Sequence, residues 1–259
     1  MNIRPLAAAL LLLATGSAQA VYGNFQAFSI YYSDTPWLRA SYNAWSKTPL
    51  VANNAYKYTG ISYVGYVNVP AGNHTYKFDR STAGDWSLNY GDNNNADNCL
   101  DVNGANIAFT QGAGTYEITY NTGAVGYTCP PYKNIVKRDS FSAAQRTMFL
   151  RTSFNNWGLL PMFLVKNNVW EAEVTAVPNT QGELKFDVKG DWSLNYGRAA
   201  GSDPRLTLNK GTTAQGGENL RMQISDHTGN PNVVGRLRFN DQTREYALCA
   251  AGDTTAICQ

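Results

Sequence analysis

The octapeptide GDWSLNYG occurs twice in this chain of 259 residues. It spans Gly84–Gly91 and returns at Gly190–Gly197, 106 positions further along. Chance does not repeat eight residues in so short a chain, so the octapeptide marks an internal duplication. Whatever structure surrounds one copy must therefore be built a second time around the other.

Further matched blocks lie upstream of each copy in the same order. Ser41–Trp45 corresponds to Ser153–Trp157, and Tyr76–Asp79 corresponds to Leu184–Asp187. A shared order of blocks predicts two homologous domains rather than one large domain. The predicted organisation is a signal peptide at residues 1–20, a first domain at 21–130, a linker at 131–144 and a second domain at 145–259.

The local pattern of both halves is typical of β-strands. Segments such as Tyr63–Val69 and Thr115–Tyr120 alternate or run with β-branched and aromatic residues. Gly, Asn and Pro clusters separate such segments at short intervals, and no long stretch has a helical period. Hydrophobic residues make up 43% of the chain, enough to bury a core. We therefore predict an all-β fold with two tandem antiparallel β-sandwiches.

The first twenty residues have the three parts of a secretory signal peptide. Arg4 supplies the positive charge, Leu6–Ala14 is an apolar run too short to span a bilayer, and Ala18–Ala20 is a small-residue cleavage site. We expect cleavage after Ala20. No second apolar run follows, which predicts a protein without a membrane span that is secreted, periplasmic or exposed at the cell surface.

The chain contains four cysteines, an even number that suits an oxidising compartment. Three pairings are possible. If the chain is two repeats, pairs within each half are favoured, namely Cys99–Cys129 and Cys249–Cys258.

The charge of the chain excludes one class of partner. Lysine and arginine number 21 against 19 acidic residues, so the net charge is only +2. No basic stripe that could neutralise phosphates is visible, and we predict no nucleic-acid partner. The short cluster Lys133, Lys137 and Arg138 is interpreted as a solvated part of the linker.

The sequence offers no motif for catalysis, a cofactor or a metal. There is no Cys-x-x-Cys pair, and the histidines, His74 and His227, are far apart and have no nucleophile at motif spacing. The loop Gly91–Asn98 is rich in Asp and Asn and could supply oxygen ligands to calcium, but its spacing differs from an EF-hand. We interpret it as a plain turn, and we expect a protein that is not an enzyme and carries no cofactor.

The matched blocks resemble a family of glycan-binding modules. Met148–Trp157 resembles the start of the glycogen-binding domain of AMP-activated protein kinase β-subunits, and Val69–Phe78 resembles its next segment. The octapeptide resembles the third. Related starch-binding modules occur on amylases, pullulanases and branching enzymes. The resemblance covers about 50 residues of each half and implies an early-set immunoglobulin-like sandwich.

The resemblance also implies a set of sugar-contacting residues, because the family binds α-glucan with two tryptophans and a lysine on one face. Asparagine can join the lysine in binding hydroxyls, and tyrosine can stack or cap. The candidate carbohydrate-binding residues are Trp45, Lys77, Trp86, Asn89 and Tyr90 in the first half, and Trp157, Lys185, Trp192, Asn195 and Tyr196 in the second.

The alternative for each of these aromatic residues is packing in the core of a sandwich. Trp86 and Trp192 lie in a polar turn, which favours binding, and strand alternation turns Lys77 and Lys185 away from the core. Trp37 and Trp170 have no counterparts and are interpreted as packing residues.

The predicted function is that of a non-catalytic protein that binds a polysaccharide, α-glucan above all, on two repeated domains. The alternative is a structural or adhesion protein of an envelope or extracellular matrix that uses the same aromatic residues against a protein or a host glycan. Exposure of Trp86 and Trp192 discriminates first, since a buried indole offers no surface to a sugar.

Overall fold

The computed structural model describes residues 36–53, 61–94, 97–122, 129, 131–176, 180–203, 208–224, 233–249 and 254–259. The predicted signal peptide lies outside these residues. In the described residues of the first half, the strands are Trp37–Ala40 (β1), Thr48–Pro49 (β2), Val51–Asn53 (β3), Ser62–Val69 (β4), Thr75–Asp79 (β5), Asn89–Gly91 (β6), Asp101–Val102 (β7), Ile107–Ala108 (β8), Gly114–Asn121 (β9) and Tyr132–Lys137 (β10).

The second half repeats this series of short strands. Its strands within the described residues are Phe149–Thr152 (β11), Leu160–Pro161 (β12), Phe163–Lys166 (β13), Val169–Ala176 (β14), Gln181–Asp187 (β15), Asn195–Gly197 (β16), Lys210–Thr212 (β17), Ala214–Gln215 (β18), Leu220–Gln223 (β19), Val233–Asn240 (β20) and Glu245–Cys249 (β21). One turn of 3-10 helix follows β1 at Ser41–Asn43, and another follows β11 at Ser153–Asn155. No α-helix occurs in the described parts of either half.

The described strands form four antiparallel sheets, two in each half. The first half has the strand orders β2-β1-β5-β6-β7, with β8 also on β5, and β10-β9-β4-β3. The second half has β12-β11-β15-β16-β18, with β19 also on β15, and β13-β14-β20-β21-β17. The sheets of each half enclose a core, so the predicted all-β fold of two β-sandwiches is confirmed.

Strand alternation builds both cores. In the first, Tyr76 and Phe78 of β5 point inward and meet Tyr120 of β9, whose ring centroid lies 5.2 Å from that of Phe78. In the second, Phe186 of β15 stacks on Phe239 of β20 at 4.3 Å. On β5 and β15, the alternate residues Lys77 and Lys185 point to the outer face, where the candidate site lies.

Trp170 is fully buried in the second core, as its interpretation as a packing residue predicted. Its indole nitrogen donates to Asp241 at 2.9 Å. The same carboxylate accepts from the backbone nitrogens of Ala144 at 3.3 Å and Gln145 at 2.8 Å. Asp241 thereby ties the start of the second half to its core.

The segment predicted as a linker is in part a strand, which corrects that boundary. Tyr132–Lys137 pairs with β9 over six residues because it continues the alternation of a strand at the edge of the sheet. Lys133 is buried rather than solvated, and its ammonium pairs with the carboxylate of Asp92. Arg138 forms an ion pair with Glu117.

The two sandwiches contact each other through the outer face of β4. That strand is buried along its whole length, since Val64 and Tyr66 on its outer face pack against Phe163 of the second half. The Tyr66 and Phe163 ring centroids lie 5.2 Å apart. Nearby, Asn68 donates its backbone N–H to the carbonyl of Arg146 at 2.8 Å. The orientation of one sandwich on the other is therefore fixed by an apolar contact and a hydrogen bond.

The predicted disulfides are confirmed, since Cys99 bonds to Cys129 and Cys249 bonds to Cys258. They close loops of very different length, 30 and 9 positions. In the described residues, no helix has the length and apolar character that a membrane crossing requires.

We predict that the two disulfides contribute unequally to stability. In the loop-entropy model the longer loop stabilises the folded state by about 3–4 kcal/mol and the shorter by about 2–3 kcal/mol. Urea unfolding of C99S/C129S and C249S/C258S should therefore show the larger loss for the first variant. An equal loss, or the reverse order, would show that loop length does not govern their contribution.

Candidate functional site

The candidate site lies on the outer face of β1 and β5, and again on β11 and β15. In the register of the first pair, Arg39 lies opposite Lys77. In the second, Arg151 lies opposite Lys185. These strands place a buried arginine and a lysine side by side on the same face of each sandwich.

In the first half, a buried arginine ties together the two loops that carry the tryptophans. Arg39 donates from Nε and Nη2 to one carboxylate oxygen of Asp79, at 3.1 and 2.7 Å. It also donates from Nη1 to the carbonyl of Trp45 at 2.8 Å and from Nη2 to the carbonyl of Gly84. One loop precedes β2 and the other precedes β6, so a single side chain fixes both.

The second half repeats this arrangement residue by residue. Arg151 donates to Asp187 at 3.1 and 2.9 Å, to the carbonyl of Trp157 at 2.8 Å and to that of Gly190 at 2.7 Å. Asp187 also accepts from the backbone N–H of Trp192 at 3.2 Å. The arginine is 2% exposed, so its charge is compensated entirely inside the protein.

Each guanidinium also lies beneath an indole. The guanidinium carbon of Arg39 is 4.8 Å from the ring centroid of Trp86, and that of Arg151 is 4.4 Å from that of Trp192. This geometry allows a cation–π attraction. Neither arginine was predicted from the sequence, although each precedes a matched serine, Ser41 or Ser153, by two positions.

All four predicted tryptophans adopt the left-handed backbone conformation. Their φ angles are 61° at Trp45, 69° at Trp86, 61° at Trp157 and 66° at Trp192. A side chain as large as tryptophan is uncommon there, because its Cβ crowds the following carbonyl at a cost of about 1–2 kcal/mol. Each sandwich therefore contains two strained tryptophans, which lie at equivalent positions in the two halves.

The tryptophans meet in pairs on the surface. The ring centroids of Trp45 and Trp86 lie 5.8 Å apart at 65°, and those of Trp157 and Trp192 lie 6.1 Å apart at 56°. Trp192 is 39% exposed and the other three are half-buried. We call each angled pair of indoles a tryptophan platform, the first being Trp45/Trp86 and the second Trp157/Trp192.

The other residues of the octapeptide hold its turn in shape. In the second copy, Asp191 accepts the backbone N–H of Ser193 at 2.9 Å, and Asn195 donates its amide to the carbonyl of Trp192 at 2.9 Å. In the first copy, Asn89 donates to the carbonyl of Trp86 at 3.1 Å. The predicted sugar-binding asparagines therefore have a structural partner in the turn itself.

The tyrosines of the octapeptide point inward, which corrects their assignment as sugar-contacting residues. Tyr196 is 5% exposed and packs on Phe239, with ring centroids 5.5 Å apart. Tyr90 lies opposite Phe78 in the β5–β6 register, and its half-buried ring packs against the first core. Both follow an outward-facing asparagine, so alternation turns them towards the core.

The predicted lysines lie beside the platforms. Lys185 is half-buried and donates to the amide oxygen of Asn195 at 3.3 Å. Lys77 is also half-buried, and burial lowers the pKa of its ammonium. With Trp157, Trp192, Glu183 and Asn219, Lys185 lines a shallow hollow of about 340 Å³.

The acidic loop after the first octapeptide is a turn in its described part. Asp92 accepts from the backbone N–H of Asn94 at 2.8 Å and from Lys133, while Asp97 accepts the backbone N–H of Cys99 at 2.9 Å. These bonds occupy carboxylate oxygens that a calcium site would need. Among the described residues, no group of three acidic, histidine or cysteine side chains is placed to hold a metal.

Comparisons with known proteins identify no family for this chain. No family model matches the sequence, and no curated protein matches it significantly. One similar solved structure is the crystal structure of SusF from Bacteroides thetaiotaomicron, 14% identical with a TM-score of 0.32. The match covers 83% of this chain and 48% of that one, so this chain spans about half its length. A likeness this remote supports no statement about function.

We predict that Arg151→Lys destabilises the second sandwich by about 3 kcal/mol. Lysine keeps the charge beside Asp187 but cannot also reach the carbonyls of Trp157 and Gly190, which are left without a donor. Urea unfolding followed by tryptophan fluorescence measures this change. Arg138→Lys is the control, because its ion pair with Glu117 is partly exposed and should matter by less than about 1 kcal/mol.

We also predict an acid transition in the first octapeptide turn. Hydrogen bonds from Ser87, and a further one involving Ser81, lower the pKa of Asp85 to about 2. A lowered carboxyl pKa stabilises the fold above about pH 4 and ceases to do so as the pH falls towards 2. The difference in unfolding free energy between wild type and Asp85→Asn should therefore shrink over that interval. A difference that is the same at pH 6 and pH 2 would contradict this assignment.

Proposed function

We propose that this chain is a non-catalytic carbohydrate-binding protein that binds α-glucan on its two tryptophan platforms. The observation that carries the proposal is the pair of indoles that each sandwich presents at its surface on strained backbone. A tryptophan needed only for packing has no reason to adopt a left-handed conformation, yet both tryptophans of each sandwich do so. Backbone strain of this kind persists where the function of the side chain requires that conformation.

The geometry of a platform matches the chemistry of a sugar ring. The C–H face of a pyranose is apolar and lies flat on an indole, and covering roughly 60 Å² of it contributes on the order of 1.5 kcal/mol. Two indoles inclined at 56–65° form an angled surface that follows consecutive units of a curved glucan. Lys77 and Lys185 are donors at the platform edge for the sugar hydroxyls.

The exposure of the tryptophans favours this function over core packing. Trp192 is 39% exposed, and its partner Trp157 lines the same hollow. An open hollow of this type binds weakly, in the millimolar to micromolar range, or about −4 to −8 kcal/mol. Weak single sites suit a polymer that can occupy two of them.

The two disulfides and the signal-peptide pattern support a secreted, periplasmic or cell-surface location for this function. The resemblance of the matched blocks to glycogen- and starch-binding modules supports α-glucan as the ligand. The contact between the sandwiches holds both platforms in one arrangement, which favours joint binding of a single polymer chain.

We predict that both platforms contribute to retention on glycogen. Trp86→Ala and Trp192→Ala should each reduce retention in affinity electrophoresis without abolishing it, because the remaining platform still binds. The double variant should migrate as it does without glycogen. Val234→Ala, which alters an exposed apolar residue, is the matched control and should be retained like wild type.

Circular dichroism of each variant establishes that the sandwiches remain folded. Migration of the wild type that glycogen and other α-glucans leave unchanged would refute the assignment of the ligand. Full retention of the folded double variant would instead place the sugar elsewhere on the protein.

A further inference from the structure

One of the differences between the two platforms is a carboxylate on the strand beside the tryptophans. The second sandwich has Glu183 where the first has Thr75. The two positions are equivalent, because the N–H of Glu183 donates to the hydroxyl of Ser153 at 2.9 Å and that of Thr75 to the hydroxyl of Ser41 at 3.0 Å. Because the two octapeptides are identical, the Glu183 carboxylate is a chemical difference beside them rather than within them.

Glu183 is held at the edge of the second platform. Its side chain is exposed and lines the hollow formed by Trp157, Trp192 and Lys185. Asn219 donates its amide to one carboxylate oxygen at 3.0 Å, and Arg221 lies directly opposite in the strand register. A carboxylate has about four acceptor positions, so the bond to Asn219 leaves acceptor capacity facing a ligand.

A carboxylate adds an ionised acceptor to the platform. The indole nitrogen and the lysine ammonium can only donate hydrogen bonds, whereas each sugar hydroxyl both donates and accepts. An ionised acceptor makes hydrogen bonds roughly twice as strong as a neutral one. A sugar hydroxyl placed between Lys185 and Glu183 would therefore have both a donor and an acceptor as partners. In the first sandwich, the neutral hydroxyl of Thr75 is a weaker acceptor at the equivalent position.

We propose that Glu183 accepts hydrogen bonds from hydroxyl groups of the bound sugar and makes the second platform the tighter of the two. This inference rests on the proposed function. The two sites then have unequal roles. The second platform holds the neutral, hydroxyl-rich sugar chain, and the first platform adds avidity.

The first sandwich contains the asparagine that a carboxylate would need, although Ala108 lies opposite Thr75 where Arg221 lies opposite Glu183. Tyr76 pairs with Ile107 as Leu184 pairs with Leu220. Asn106 precedes Ile107 just as Asn219 precedes Leu220, so the amide that steadies Glu183 has an equivalent. A Thr75→Glu substitution should therefore transfer the acceptor to the first platform.

The test uses the full chain and maltoheptaose, with one platform removed so that the other is measured alone. W86A reports the second platform and W192A reports the first, and titration calorimetry gives each dissociation constant. We expect W86A to bind about tenfold more tightly than W192A. Adding E183T to W86A should weaken binding about tenfold, and adding T75E to W192A should tighten it by a similar factor. E183Q, which keeps an acceptor without the charge, should fall between glutamate and threonine.

Three outcomes overturn the inference, and they can be told apart. Equal binding by W86A and W86A/E183T, with unchanged thermal unfolding, would show that Glu183 does not touch the sugar while leaving the platforms intact. Tighter binding by W192A than by W86A would reverse the proposed ranking. Absence of binding by the wild type to any α-glucan would remove the proposed function and this inference with it.

Discussion

A buried guanidinium carries donors in a rigid fork, and each one left without an acceptor costs free energy. In both sandwiches, the acceptors for the arginine donors are one aspartate and two backbone carbonyls. Because those carbonyls belong to a tryptophan and to the first glycine of the octapeptide, satisfying the arginine also closes both loops. Removal of one partner of such a buried pair costs about 3–5 kcal/mol. The shape of each tryptophan platform thus depends on a buried charge beneath it.

Much of the fold could be predicted from the sequence because strands, turns and duplication leave periodic signals. Alternation predicted β4 and β9, and the repeat boundary together with the signal-peptide pattern and the even number of cysteines predicted both disulfides. Alternation also predicted that Lys77 and Lys185 face outward. The edge strand β10 was predicted as a linker, because its lysines suggested a solvated segment. One of them, Lys133, is instead paired with Asp92 inside the protein.

The candidate site was only partly accessible from the sequence. A tryptophan in a polar turn indicates a surface position, but nothing in the order of residues states that its backbone is left-handed. Tyr90 and Tyr196 look like stacking residues until the β5–β6 and β15–β16 registers place them opposite core phenylalanines. Arg39 and Arg151 read as ordinary strand residues, since the partners that give them their role are the carbonyl groups of distant loops. Local sequence patterns do not reveal such tertiary contacts.

The glycine that ends each octapeptide limits how the two halves could have diverged. A Cβ on Gly91 would lie 2.0 Å from the carbonyl oxygen of Ala105, and one on Gly197 would lie 2.2 Å from that of Glu218. Gly190, at the other end, has a left-handed backbone and lies against Pro49 of the opposite sandwich. Between these ends, the aspartate and the asparagine hold the turn and the tyrosine packs on the core. On the strands beside the octapeptide, in contrast, a change of side chain leaves the turn intact, so new binding properties could arise there after the duplication.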